Sequence, residues 1–169
     1  VLTYVDDLIS MTSCDKLRQW WKDSLAARFK KVTSSDECKW ILNMKVNRGT
    51  DPSGTHWIEL SQELAITKIA QAAGLLESRK CNTPTLPGEK LHATKEGDKP
   101  PSESWSYASN LGGVLYVANL TRPDIAFSAN RLTRYLKKPN DSHCQALKRL
   151  VRYMYTTKEL GIRYHGGSN

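Results

Sequence analysis

Residues 81–104 constrain the fold more than any other part of this 169-residue chain, because they hold four of its seven prolines. Proline has no amide hydrogen and disrupts both helix interiors and central strands. The segment also contains few apolar residues, so it has little to bury. We therefore expect an extended linker over residues 81–104, with one structured part at 1–80 and another at 105–164.

The part before the linker carries mainly strand signals. Residues 1–5 and 8–11 are rich in strand-forming residues and predict a hairpin with Asp6 and Asp7 at its tip. Residues 39–60 alternate in part between apolar and polar side chains around an Asp-Pro-Ser-Gly turn, which predicts a second hairpin. Two helices are predicted as well, one from Asp15, a candidate cap, to Phe29, and one from residue 61 to Gly74.

Helical periodicity dominates after the linker. We expect helices over about 105–120, from Pro123 to about Lys138, and from about residue 140 to 157, followed by a short strand over 160–164. In the second of these helices Ile125, Leu132 and Leu136 mark an apolar face, together with either Phe127 or Ala129. The predicted fold class is therefore α+β, with short hairpins followed by a mainly helical bundle.

Positive charge is concentrated in the last third of the sequence. The chain has a formal net charge of +8, and residues 122–169 contribute +7 through ten Lys and Arg and three acids. Such a concentration indicates a polyanionic partner, most simply nucleic acid, although a solvated basic surface is the plainer alternative.

The predicted helices arrange these cations on faces. Arg131, Arg134 and Lys138 are spaced for one face of the second helix, and Lys148 and Arg152 for one face of the third. We expect sequence-independent, salt-sensitive binding to phosphates. The candidate nucleic-acid-binding residues are Arg131, Arg134, Lys137, Lys138, Lys148, Arg149 and Arg152.

Other features argue against membrane, secreted and zinc-binding classes. The longest uncharged stretch, residues 104–121, contains six Ser, Asn and Thr residues and does not suit a membrane span. No signal peptide is recognisable, and the four cysteines form no C-x-x-C pair, which predicts free thiols in an intracellular, reducing compartment. His143 beside Cys144 lacks partners at zinc-ligand spacing. The start at Val1 and the Gly-Gly-Ser-Asn end suggest a piece of a longer protein.

Tyr4-Val5-Asp6-Asp7 is the sharpest local motif. Two adjacent carboxylates at a turn are suited to a divalent cation, and phosphoryl transfer commonly uses two such ions. An Asp-Asp pair in a turn is also common without any metal, so the motif by itself leaves both interpretations open.

The motif, flanked by apolar residues, resembles the catalytic hairpin of reverse transcriptases. The rest of the chain resembles the reverse transcriptase of copia-type retrotransposons, because several further blocks follow in the family's order. These blocks are Ile41-Leu42-Asn43-Met44-Lys45-Val46, Leu60-Ser61-Gln62, Thr83-Pro84, Gly112 to Tyr116, Thr121-Arg122-Pro123-Asp124-Ile125-Ala126, Arg134-Tyr135-Leu136 with Pro139, and His143 through Arg152-Tyr153 to Leu160-Gly161. Within the Thr121–Ala126 block we also expect Arg122 to pair with Asp124.

The resemblance implies a role for each region. Asp6 and Asp7 would ligate magnesium in the palm, and Tyr4 would lie near the incoming nucleotide or the template. Residues 38–60 would help to position the primer end, and the helices over 105–157 would form the thumb along an RNA–DNA or DNA template–primer duplex. The remaining partners would be the fingers, palm and ribonuclease H regions of a polyprotein, in a cytoplasmic particle or the nucleus.

The chain also departs from the family pattern. The third catalytic Asp of the family precedes the Tyr-Val-Asp-Asp turn and has no counterpart here, so we predict that this chain alone does not polymerise DNA. Asn43 and Thr156 stand where the family usually has Gly, and Cys144 where it usually has Trp. A non-catalytic nucleic-acid-binding module and a transposon relic are the alternative interpretations.

Overall fold

The computed structural model describes residues 1–101 and 105–167. Two parts of the sequence-based description, the last three residues of the predicted linker (102–104) and the end of the tail (168–169), lie outside that range. The chain forms two compact units, Val1–Leu42 and Asn43–Asn169. Helices and two small antiparallel sheets confirm the predicted α+β class. The predicted domain boundaries at 80 and 105 stay a prediction.

The first unit contains a hairpin of β1 (Leu2–Tyr4) and β2 (Asp7–Ile9), helix α1 (Asp15–Arg28) and the short strand β3 (Trp40–Ile41). Tyr4 pairs with Asp7, so the turn consists of Val5 and Asp6, and Asp7 already belongs to β2. The prediction that both acids lie at the tip is therefore confirmed for Asp6 and wrong for Asp7. Asp15 is the first helical residue, and Cys14 occupies the cap position without a side-chain hydrogen bond, so the predicted Asp15 cap is wrong.

A three-stranded antiparallel sheet belongs to the second unit. It consists of β4 (Met44–Thr50), β5 (His56–Ser61) and β6 (Gly161–His165), with β5 in the centre. The Asp51 carboxylate accepts hydrogen bonds from the amides of Ser53 and Thr55 and closes the β4–β5 turn. Both the predicted second hairpin and the predicted C-terminal strand are confirmed.

Four helices and a 3₁₀ turn complete the second unit. They are α2 (Glu63–Ala72), α3 (Tyr107–Leu120), the turn Pro123–Ile125, α4 (Ala126–Thr133) and α5 (Asp141–Thr156). Their apolar faces meet in one core, in which Val114, Ile125, Ala129, Leu147 and Leu150 are fully buried. The sequence of α5 predicts a buried stripe of Leu147, Leu150, Val151 and Met154, and all four lie in this core. Among the described residues, no helix is both long and apolar enough to cross a membrane.

Helix α4 ends earlier than the sequence predicts. Its last residue is Thr133, and Tyr135 and Leu136 form only turn hydrogen bonds to Leu132 and Thr133. Pro139 disfavours a helical conformation at the preceding residue, and the Lys138 carbonyl accepts a hydrogen bond from the Thr94 hydroxyl instead. The prediction of a helix to Lys138 is therefore wrong, and Leu136 is 48% exposed rather than buried.

The described part of the proline-rich segment lies along two helices of the second unit. Residues 81–101, here called the strap, contain no helix or strand but are bonded along α4 and α5. At its start, the Cys81 amide donates to the Thr156 hydroxyl, and Arg149 donates to the Thr83 hydroxyl. Further along, the Leu91 carbonyl accepts from the Tyr135 hydroxyl, and the Lys99 carbonyl accepts from the Asp141 amide. The strap therefore satisfies its polar groups on the helices that follow it in the sequence.

Candidate nucleic-acid interface and acidic turn

The acidic turn is exposed and conformationally unusual. Tyr4, Asp6 and Asp7 are all exposed, and Tyr4 lies opposite Asp7 on the same face of the hairpin. Val5 between them has φ of 50°, in the left-handed region that β-branched residues rarely adopt. Strain of this kind costs about 1–3 kcal/mol and is found most often at functional sites. Two-residue hairpin turns usually hold a Gly in this conformation, so the unusual feature of this turn is the β-branched side chain at Val5.

Asp6 and Asp7 provide carboxylate oxygens, the kind of ligand that a hard cation prefers. Two carboxylates are also the number typical of a site in which a substrate supplies the remaining ligands. Magnesium is commonly held by one or two carboxylates together with water and phosphate oxygens. Within residues 1–101 and 105–167, no group of three or more His, Cys, Asp or Glu side chains is placed to hold a metal ion. Asp6 and Asp7 can therefore supply part of a metal site and need further ligands.

The seven predicted nucleic-acid-binding cations differ in exposure and in their partners. Because α4 stops at Thr133, Arg131, Arg134 and Lys138 are not a row on one helical face. Arg131 is half-buried, donates to the Glu89 carbonyl and lies 3.8 Å from the Glu89 carboxylate. Glu89 belongs to the strap, so the strap neutralises this cation.

Two of the three cations of α5 are also engaged with the protein, and the third, Arg152, is half-buried. The Lys148 ammonium lies 5.0 Å from the centre of the Trp105 ring, and Arg149 donates a 2.7 Å hydrogen bond to the Thr83 hydroxyl. The Nε atoms of Arg149 and Arg152 are buried without a hydrogen-bond partner among the described residues. These side chains are half-buried, so their stems serve packing as well as charge.

Arg134, Lys137 and Lys138 are exposed and lie within five residues at the end of α4. Residues 125–140 contain no Asp or Glu at all. These three residues, here called the α4-end cations, are the part of the predicted set that is open to solvent.

Arg122 forms a buried network that explains its block of sequence. Its side chain is 1% exposed and donates two 2.8 Å hydrogen bonds to the Asp124 carboxylate, which confirms the predicted pair. It also donates to the carbonyl and the hydroxyl of Thr157 after α5, while the Tyr153 hydroxyl donates to Asp124. Burial opposes ionisation of Asp124, but Arg122 outweighs it and holds the Asp124 pKa below its usual range. The network joins the 3₁₀ turn to the end of α5.

His143 forms a second buried polar contact at the start of α5. Its Nδ1 accepts from the Asn140 amide, Asn140 accepts from the His143 amide, and its Nε2 lies 3.0 Å from the His92 carbonyl. This pattern requires the neutral ring with the proton on Nε2, and burial lowers the His143 pKa accordingly. The Tyr135 ring stacks on His143 at 3.8 Å. His143 therefore caps α5 and fixes the strap.

Phe127 is a candidate functional residue that the sequence pattern left ambiguous. The alternatives for the apolar face of α4 were Phe127 and Ala129, and the structure buries Ala129 while Phe127 is 77% exposed. The absence of acids from residues 125–140 is the sequence signal that distinguishes this surface.

Comparison with known proteins gives the chain a relationship that covers nearly all of it. It is 33% identical over 165 residues to the retrovirus-related Pol polyprotein from transposon RE1 of Arabidopsis thaliana, a match to 96% of this chain and 10% of that protein. The chain is a homologue of the Pol polyproteins of copia-type retrotransposons. It spans about a tenth of the RE1 polyprotein, so it corresponds to one segment of such a protein.

Two shorter relatives match over more of their own length. A putative transposon Ty5-1 protein of Saccharomyces cerevisiae is 27% identical, with 99% of this chain and 52% of that protein aligned. An uncharacterized mitochondrial protein of Arabidopsis thaliana is 30% identical, with 99% and 66% aligned. No protein-family profile matches the chain. No solved structure matches it either.

The structure accounts physically for two departures from the retrotransposon pattern. Asn43 has φ of 58°, a left-handed conformation that Gly and Asn adopt most easily, so Asn suits a position that usually holds Gly. The Thr156 hydroxyl accepts a 3.1 Å hydrogen bond from the Cys81 amide, a contact that Gly cannot make. Cys144 is 2% exposed within the core. None of the three residues leaves a strained or unsatisfied position.

Proposed function

We propose that this Pol homologue is a segment of a reverse transcriptase, in which Asp6 and Asp7 hold magnesium and the helical part binds a template–primer duplex. The observation that carries the catalytic part is the strained Val5 between Tyr4 and Asp7 in an exposed hairpin turn. Magnesium held there would stabilise charge that develops during nucleotidyl transfer. The segment aligns with about a tenth of the RE1 polyprotein, and further carboxylates would come from other parts of such a protein.

A chimera tests the catalytic role. This segment would replace its counterpart in the RE1 Pol polyprotein, and magnesium-dependent primer extension would be measured. Asp6→Asn and Asp7→Asn should each lower the rate by about a hundredfold or more, because a metal ligand contributes several kcal/mol to transition-state stabilisation. Asp15→Asn, at another exposed carboxylate of the first unit, is the matched control and should leave the rate unchanged. Full activity of both turn variants would refute the assignment.

Activity of the segment alone is a separate question. We propose that it does not extend a primer, because magnesium catalysis in this chemistry needs more ligands than Asp6 and Asp7 supply. Primer extension by the purified 169-residue chain would contradict this proposal.

Duplex binding is assigned to the α4-end cations. Three phosphate contacts predict that the logarithm of the affinity for an RNA–DNA hybrid falls with the logarithm of salt concentration at a slope of about −3. The triple variant Arg134→Gln, Lys137→Gln, Lys138→Gln should lose most of that slope. The control is Lys16→Gln, Lys30→Gln, Lys31→Gln, which makes the same charge change at exposed positions of the first unit. Equal effects of the two triple variants would contradict the assignment.

A non-catalytic nucleic-acid-binding module is the second candidate function. It is favoured by the placement of the carboxylates in the first compact unit and of the α4-end cations in the second. An inactive chimera together with salt-sensitive hybrid binding by the chain would support this alternative.

A further inference from the structure

The outer face of α4 combines an exposed aromatic ring with positive charge. Phe127 and Arg134 are seven residues apart, and Arg134, the residue that caps the end of α4, still has helical backbone angles. The two residues therefore lie on one side of the helix, about 10 Å apart along its axis. Asn130 lies between them on that face, and all three side chains are exposed. Lys137 and Lys138 follow directly. The face therefore carries one ring and one cation, and two further exposed cations follow in the turn after the helix.

Phe127 has no packing role within α4. The buried stripe of the helix consists of Ser128, Ala129 and Leu132, and Phe127 points away from it. A single exposed apolar residue is common on proteins and by itself indicates nothing. Phe127 differs from an ordinary exposed apolar residue because cations lie at the end of the same helix. Lysines of this kind argue against a protein-binding patch, which is usually depleted of lysine.

The acid closest to Phe127 in the sequence is already paired. The acid nearest in sequence, Asp124, lies three residues before Phe127, but its carboxylate accepts from Arg122 and from Tyr153. Asn130 donates its own amide to the Ala126 carbonyl. A polyanion approaching this face meets the ring and the α4-end cations without a free carboxylate in residues 125–140.

We propose that this face binds a single-stranded polynucleotide, with an unpaired base stacked on Phe127 and phosphates at the α4-end cations. Aromatic rings beside cations are the recurrent means by which proteins hold single strands without sequence preference. A base pair inside a duplex is stacked between its neighbours and does not present its face to a ring, so along a strand the contact favours unpaired nucleotides. The inference extends the proposed function, in which the strand would be the unpaired template next to the duplex.

The test uses the full chain, a labelled 12-nucleotide oligodeoxythymidylate and a blunt RNA–DNA hybrid, with binding followed by fluorescence anisotropy. Phe127→Ala should weaken oligonucleotide binding by about 5- to 100-fold and leave hybrid binding within about twofold. Phe127→Leu should lose nearly as much, because it keeps apolar area without a ring. Phe127→Trp should restore or strengthen binding and add indole fluorescence that the oligonucleotide quenches.

Leu136→Ala is the matched control, since Leu136 is a second exposed apolar residue just beyond α4. It should leave oligonucleotide binding unchanged. An unaltered affinity of Phe127→Ala for the oligonucleotide, or full affinity of Phe127→Leu, would overturn the stacking contact while hybrid binding still supported the proposed function. Conversion of a dimer to a monomer by Phe127→Ala, with unaltered oligonucleotide affinity, would identify the face as an interface between copies. Absence of hybrid binding by the unmodified chain would instead count against the proposed function.

Discussion

The guanidinium of Arg122 and the carboxylate of Asp124 meet through two parallel 2.8 Å hydrogen bonds at the start of the 3₁₀ turn. Arg122 is among the largest fully buried side chains of the protein, and its remaining donors reach Thr157. The Tyr153 ring lies 5.5 Å from the guanidinium carbon. Burial of the Arg122 charge depends on Asp124, because a buried charge without a counterion strongly destabilises the folded state.

Removal of the partner should therefore destabilise the fold. We expect Asp124→Ala to lower the free energy of unfolding by about 3 kcal/mol, since it leaves the Arg122 charge buried without a counterion. Urea denaturation is the measurement, and Glu159→Gln, at an exposed acid beyond α5, is the control. A change within about 0.5 kcal/mol of the control would show that Arg122 does not need Asp124.

His143 should make the stability pH-dependent. Burial lowers the His143 pKa in the folded state, whereas the unfolded chain titrates near 6.5. Above pH 6.5 the ring is neutral in both states, and below it the unfolded state binds a proton that the folded state does not. Stability should therefore fall as the pH drops below 6.5, by up to about 1.4 kcal/mol per pH unit.

The groups that face His143 set the detail of that dependence. His92 opposes its protonation by charge, Asp98 favours it, and the hydrogen bond to the His92 carbonyl also favours it. Urea denaturation between pH 7.5 and pH 5 should give a smaller decline for His143→Gln than for the unmodified chain. An identical decline in both proteins would assign the pH dependence to other groups.

Gly112 and Gly113 are neighbours in α3 with opposite surroundings. A Cβ at Gly112 meets nothing within 4 Å, whereas one at Gly113 would lie 3.0 Å from Cγ1 of Ile69. Gly112→Ala should raise the free energy of unfolding by about 0.5–1 kcal/mol through helix propensity. Gly113→Ala should have a free energy of unfolding about 1 kcal/mol or more below that of Gly112→Ala, because Ile69 must move. Equal stability of the two variants would contradict the close α2–α3 approach.

The cysteines should differ in reactivity. Cys14 is exposed, Cys81 and Cys144 are buried, and burial raises the Cys144 pKa. With a thiol reagent at pH 8 we expect Cys14 to react at the rate of a free thiol and the two buried residues to react on unfolding. Mass spectrometry of peptides from the partly modified protein shows the order in which the cysteines react. Early modification of Cys144 would show that the core around α5 opens readily.

The sequence determined the elements that depend on nearby residues. Alternating apolar residues around Asp51 specified the β4–β5 hairpin, and the apolar stripe of Leu147, Leu150, Val151 and Met154 specified the buried face of α5. The Arg122–Asp124 pair was predictable for the same reason, since its partners are two residues apart. The acidic turn was recognisable as well, although its register, which places Asp7 in β2, follows from the strand pairing.

Tertiary structure decided which charges remain available. The sequence lists cations but not their partners, and Glu89 and Thr83, which engage Arg131 and Arg149, lie 42 and 66 residues away from them. The sequence predicts that the proline-rich segment is extended but does not say what it contacts, and the structure places it on α4 and α5, where its polar backbone groups find partners. That packing leaves Arg134, Lys137, Lys138 and Phe127 exposed. Local patterns fix helices and strands through short-range bonding, whereas the open surface depends on which distant groups the chain brings into contact.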